Sequence, residues 1–230
     1  DDLHGLGLDW DDEAIFQSDR FDSYAIAVES LKAMGMLYPW FCTRSSMRAL
    51  YALEQPEEGP DGPIYAGTCR HLTAEEVTPR MRDEAFCWRL NVEKADKAAG
   101  QLIWHDEFRG EQTADPVALG DVVIVPKETP ISYHLAVTID DAHDAITHVV
   151  RGSDLFASTH IHRLLQALLN LPTPHYVHHS ILLDETGQKL SKSIESASLS
   201  MLRGNGENGQ QLAVSLRQNK FPVGITLSKD

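Results

Sequence analysis

The stretch that most restricts how this chain can fold is residues 145–170, AITHVVRGSDLFASTHIHRLLQALLN. A short run rich in β-branched residues, ITHVV, ends at Arg151-Gly152, and a helix follows whose Leu164, Leu165, Leu168 and Leu169 form one apolar stripe. Ser158 or Thr159 stands where a helix N-cap belongs. Strand, glycine-containing turn and helix make half of a βαβ unit, and the turn is where α/β sheets place their ligands. The expected fold class is therefore α/β.

The flanking sequence gives the organisation. In ISYHLAVTIDDA, Ile131, Tyr133, Leu135, Val137 and Ile139 alternate with Ser132, His134, Ala136, Thr138 and Asp140, which predicts a strand with Tyr133 on its apolar side. Tyr24, Ala27, Val28 and Leu31 recur at helical spacing, with Ser18 as N-cap and Gly35 as stop. From Pro39 the texture becomes a short helix and a Pro/Gly/acid-rich loop, followed by strand-like AFCWRL and GDVVIVPK. The expected divisions are residues 1–37, an irregular α+β insert over 38–128, a second half of the α/β fold over 129–180, and a loop with a short helical tail over 181–230.

Hydrophobic residues make up 42% of the 230, enough for a packed core, and no apolar run approaches the roughly 18 residues that a membrane span needs. Three cysteines and no basic signal-like start set a cytoplasmic expectation. The net charge of −14 argues against a general polyanion binder but leaves room for local basic patches.

Two places carry chemistry. Arg151, at the carboxyl end of a strand and facing a helix start, can grip a carboxylate through two parallel hydrogen bonds, or can pin the turn by pairing with Asp154. LLDETGQKLSKSIES places Lys189, Leu190, Ser191, Lys192 and Ser193 behind Gly187. It reads either as a solvated turn or as a mobile loop built to meet negative charge that appears during a reaction.

Together, ISYHLAVTIDDAHDAITHVVRGSDLFAST and GQKLSKS resemble the catalytic half of the glutamyl-tRNA synthetases, and KLSKS matches the signature loop of class I aminoacyl-tRNA synthetases. GLGLDWDDEAIFQSDRFDSYAIAVESLKAMGMLYPWFCTRS and GPIYAGTCR extend the likeness, over residues 3 to about 203. The resemblance implies a Rossmann-like catalytic domain that uses ATP with Mg2+. It implies Lys192, with Lys189 and Ser191, as catalytic, and the whole run Lys189–Ser193 as ATP-binding. It implies Tyr133 and Arg151 as the glutamate-binding pair.

Only 38 residues follow Lys192, too few for an anticodon-binding domain of ordinary size. The likeness is therefore closest to truncated paralogues that activate L-glutamate with ATP and attach it to the queuosine base in the anticodon of tRNA-Asp. Two alternatives stand beside it: a short glutamyl-tRNA synthetase charging tRNA-Glu, and an inactive tRNA-binding paralogue. A monomer is expected.

Two departures accompany the resemblance. The first family signature, a His-Ile-Gly-His-like ATP-binding segment, and the first strand that carries it are absent from Asp1 onward. Either a preceding segment of several dozen residues is missing from the sequence, or the chain cannot activate glutamate. Members also often hold zinc in the insert through C-x-C, then a tyrosine and a cysteine four residues later. Here Trp40 stands at the first of those positions, leaving Cys42, Tyr65 and Cys69. Three ligands are fewer than a structural zinc uses, so the expectation is a metal-free insert packed around Trp40. A second metal site among His160, His162, His175, His178 and His179 is not expected, because neither segment converges its rings. Cys87 reads as a buried small hydrophobe.

Overall fold

The computed structural model describes residues 2–53, 55–190 and 198–228. They fall into two compact units, one of residues 16–178 and one of residues 1–15 with 179–230.

In the larger unit one core draws on four helices: Phe21–Ala33, Val92–Ala99, Tyr133–His143 and Ser158–Leu168. Leu31, Leu90, Ala95, Ile124, Leu135, Ile161, Leu164 and Leu165 are fully enclosed there. The first helix buries Tyr24, Ala27, Val28 and Leu31, the stripe that the sequence spacing predicts, and stops where Gly35 turns back with φ 66°. Ser18 is not its cap. A 3-10 turn, Gln17–Arg20, feeds the helix, and buried Arg20 is fixed by Asp140 and Asp144 at the far end of the 133–143 helix.

The expected strand over 131–140 is a helix, Tyr133–His143. Both periods fit its apolar residues, and packing decides between them. Leu135, Ala136 and Thr138 are buried while Tyr133 is 48% exposed, a one-sided pattern that a helix lying on a core makes and an alternating strand does not. Tyr133 is therefore not a core tyrosine.

Two sheets frame the unit. A three-stranded antiparallel sheet runs in the order Leu37–Trp40, Cys87–Leu90, Val123–Val125, with Leu37 opposite Leu90 and Trp40 opposite Cys87. A four-stranded sheet runs Gly110–Thr113, Ile103–Asp106, His175–His179, His148–Gly152. Ile103–Asp106 pairs antiparallel with Gly110–Thr113 and parallel with His175–His179, so this sheet joins residues from either side of position 128. A second apolar cluster, Tyr38, Phe41, Met47, Tyr65 and Cys69, forms the heart of the insert, with Trp40 packed against it.

In the smaller unit Leu182–Leu183 pairs with Thr226–Leu227, and two short helices follow, Leu199–Gly204 and Gly209–Arg217. A tight turn leads toward the lysine loop. Asp184 accepts the N–H groups of Thr186 and Gln188, both at 2.9 Å, and Gly187 adopts φ 79°. Among the described residues no helix is long and apolar enough to cross a membrane.

Candidate active site

Arg151 ends its strand as the sequence predicts, and the helix that follows it supplies much of its surroundings. No side chain caps that helix. The 3-10 turn Ser153–Leu155 runs into it, and two of its first N–H groups bond to the carbonyls just before it, Thr159 N to Phe156 O and His160 N to Ala157 O, each at 3.1 Å. Thr159 is thereby released from capping. Its hydroxyl accepts from Arg151 Nη2 at 2.6 Å, and the same nitrogen donates to Leu155 O at 3.2 Å.

The other guanidinium donors meet histidines. Nε donates to His178 Nε2 and Nη1 meets His162 Nδ1, each at 3.1 Å. His178 Nδ1 lies 2.7 Å from Asp106 Oδ2, and His162 Nε2 lies 3.2 Å from His134 Nδ1. Asp106 is held in turn by the backbone N–H groups of Phe108 and Arg109. Thr159, His162, His178 and Asp106 are all buried. Burial pushes His134, His162 and His178 below the ordinary histidine range, and His162 well below, with the Arg151 charge adding to the effect. Burial alone would raise Asp106, but the hydrogen bonds from His178, Phe108 and Arg109 outweigh it and hold the carboxyl below its usual value.

The Tyr133 ring lies 5.8 Å from the His162 ring, so the expected glutamate-binding pair meets the same imidazole from two elements. Tyr133 and His134 also line an open cavity of about 500 Å³, with Tyr65, Arg89, Asp61 and Ser132 on its walls. Arg89 Nε and Ser132 Oγ have no partner among the described residues. Of the loop residues, Lys189 bridges to Leu183, and Leu190 N donates to Leu182 O at 3.0 Å. Ser191, Lys192 and Ser193 lie outside the described residues.

Sequence reasoning gave Asp106 no role, read Thr159 only as a possible helix cap, and weighed His162 and His178 only as metal ligands. The His178 contact with Asp106 spans 72 residues of chain, a separation that no local pattern encodes.

The expected metal ligands come together in the insert. Cys42 and Cys69 sulfurs are 3.6 Å apart, but the Tyr65 hydroxyl accepts from Cys69 N and contacts Thr68, both at 2.8 Å. Burial raises the Tyr65 phenol far above its ordinary value. The Arg89 guanidinium lies 4.3 Å from the Trp40 ring centre and 4.5 Å from that of Tyr65, which puts a cation over the phenol. Against the effect of burial, hydrogen bonds hold the Cys69 thiol below its usual value. With Trp40 in place of a fourth donor, two cysteine sulfurs and a protonated phenol are still fewer donors than a structural zinc uses. Elsewhere among the described residues no three His, Cys, Asp or Glu side chains are grouped as a metal centre. Cys87 is buried.

Residues 1–224 match the model of the class I tRNA synthetases (E and Q), catalytic domain. A protein of Rhodobacter capsulatus named glutamyl-Q tRNA(Asp) synthetase is 38% identical over 90% of this chain and 76% of its own length. Proteins of the same name from Thiobacillus denitrificans and Nocardia farcinica are 36% and 35% identical, over 60% and 66% of their lengths. The chain thus spans about three fifths to three quarters of these relatives. A crystal structure of the glutamate-tRNA synthetase from Elizabethkingia anophelis superposes with TM-score 0.66 at 25% identity, over 84% of this chain and 41% of that one. With its α/β fold and the match over nearly its whole length, the chain belongs to the family of class I tRNA synthetase (E and Q) catalytic domains.

Proposed function

We propose that this protein activates L-glutamate with ATP and transfers the glutamyl group to the queuosine base in the anticodon of tRNA-Asp. The observation that carries the reading is the convergence of Arg151 and Tyr133 on His162, at the mouth of the strand–turn–helix unit, in a chain of this family. Four of the five N–H groups of the guanidinium are held by the protein, so its orientation is set before any ligand arrives; one Nη1 N–H is left to meet a carboxylate, in place of the two parallel hydrogen bonds that a free fork would give. Lys192, with Lys189 and Ser191, would face the departing pyrophosphate of Mg-ATP, where negative charge develops in the transition state. The relatives' names support tRNA-Asp as acceptor.

The test is transfer of labelled glutamate to purified tRNA-Asp, with and without queuosine, and to tRNA-Glu. Queuosine-containing tRNA-Asp alone should be labelled, and the bond should resist removal of the 3′-terminal adenosine. Labelling of tRNA-Glu would favour a short glutamyl-tRNA synthetase, and binding of tRNA-Asp without glutamate activation would favour an inactive paralogue.

A further inference from the structure

An arginine only donates, so any ring nitrogen that meets it must accept. His162 accepts at Nδ1, which leaves its proton on Nε2, facing His134 Nδ1. His178 accepts at Nε2, which leaves its proton on Nδ1, facing Asp106. One cation thus selects a single neutral tautomer in each of two buried rings. A proton added to His162 Nδ1 or His178 Nε2 would set N–H against N–H at 3.1 Å from a guanidinium.

We propose that His162 and His178 are positioning residues that hold the Arg151 guanidinium in one orientation only while both rings are neutral, so that glutamate binding weakens when either takes up a proton. This rests on the reading of Arg151 as a glutamate-binding residue.

The charges that bear on the rings come from every side. Asp106 on the Ile103–Asp106 strand favours a proton on His178, and Arg109 and Arg151 oppose it. On the Tyr133–His143 helix, His134 opposes a proton on His162, while Asp61 favours one on His134. Asp141 of that helix also lies within range of the Arg151 charge, and burial raises its carboxyl. Tyr176 lies beneath the Arg151 guanidinium at 5.2 Å and stacks on His178, and burial raises its phenol, so it adds no negative charge. Burial outweighs the carboxylates at His134 and His178, and at His162 burial, Arg151, His134 and His178 all act in the same direction. The loss of binding therefore falls below the ordinary histidine range.

Two readouts on the full chain test this. In imidazole ¹⁵N spectra of the unmutated protein from pH 8 to 5.5, His162 should carry its proton on Nε2 and His178 on Nδ1, with neither titrating near 6.5. A ring that titrates there, or holds the other tautomer, overturns the proposal without reference to activity. Calorimetry then compares glutamate binding by the unmutated protein, His162→Leu, His162→Asn and His178→Gln. Loss of the acceptor in His162→Leu should weaken glutamate about 10-fold or more and leave ATP binding unchanged. Asn places an acceptor near the Nδ1 position and cannot be protonated. It should restore most of the affinity. His178→Gln, which places an acceptor near the Nε2 position and cannot be protonated, should flatten the loss on the acid side, because His178 is the less strongly depressed of the two rings. A merely structural role would not produce either result. Equal glutamate affinity in His162→Leu, or an unchanged acid limb in His178→Gln, overturns the proposal. If the unmutated protein binds no glutamate, the assignment of Arg151 falls instead, and the spectra still decide the tautomers.

Discussion

Arg151 shows how far a single residue can be read. Its place at a strand end follows from local pattern, and its expected ligand from resemblance, but its neighbours do not follow from either. His162 is 11 residues away and His178 27, and the pair-wise choice of tautomers exists only once a sheet and a helix have been brought together. Replacing Arg151 by Lys keeps a positive charge but loses the fork. One ammonium cannot donate to His178, His162, Leu155 O and Thr159 from the same place. Glutamate affinity should fall by roughly 10–100-fold in Arg151→Lys, the range for losing a hydrogen bond to a charged partner. It should fall further in Arg151→Ala. Calorimetry that found Arg151→Ala unchanged would leave the residue as a pin for the turn.

At the scale of elements, spacing was a good guide where one period stood alone and a poor one where two overlapped. The Phe21–Ala33 and Ser158–Leu168 helices and the strands at 87–90, 123–125 and 148–152 are all legible from apolar rhythm. Residues 131–140 satisfy both periods, and only burial against the Ala27–Leu31 core selects the helix. The insert shows a different limit. Trp40, Cys42, Tyr65 and Cys69 are visible in the sequence, but the arginine that lies across two of them comes from the strand at 87–90. Because Arg89 stacks on both Trp40 and Tyr65, it should contribute about 1–3 kcal/mol to stability. Arg89→Ala should then lower Tm by roughly 2–10 °C in a chain of this size. A chelator should leave Tm unchanged, and elemental analysis after dialysis should find much less than one zinc per chain. Stoichiometric zinc would mean that the thiols and Tyr65 rearrange around a metal.

For the whole molecule, acid should act through two sets of buried groups in sequence. His134, His162 and His178 have folded-state pKa values below their unfolded value near 6.5. Between those limits the unfolded chain binds more protons than the folded one, so stability is full above about pH 6.5 and declines as pH falls. Each ring that resists protonation costs up to about 1.4 kcal/mol per pH unit in that window. Asp106 and Asp144 are depressed by their hydrogen bonds, to His178 and to Arg20 respectively, so their contribution is lost only below about pH 4. Asp141 is raised by burial and acts in the opposite direction over part of the range. A second opposing effect comes from the net charge of −14, whose self-repulsion eases as pH falls toward a pI near 5.1. Salt separates the two, because it screens the exposed charges and leaves the buried rings almost untouched. At about 0.3 M salt, Tm should therefore fall steadily from pH 6.5 to 5 and more steeply below 4. In His162→Asn the first decline should be shallower by one ring's share. A Tm that stays level between pH 7 and 5 at high salt would show that the three imidazoles take up protons in the folded protein as easily as in the unfolded chain.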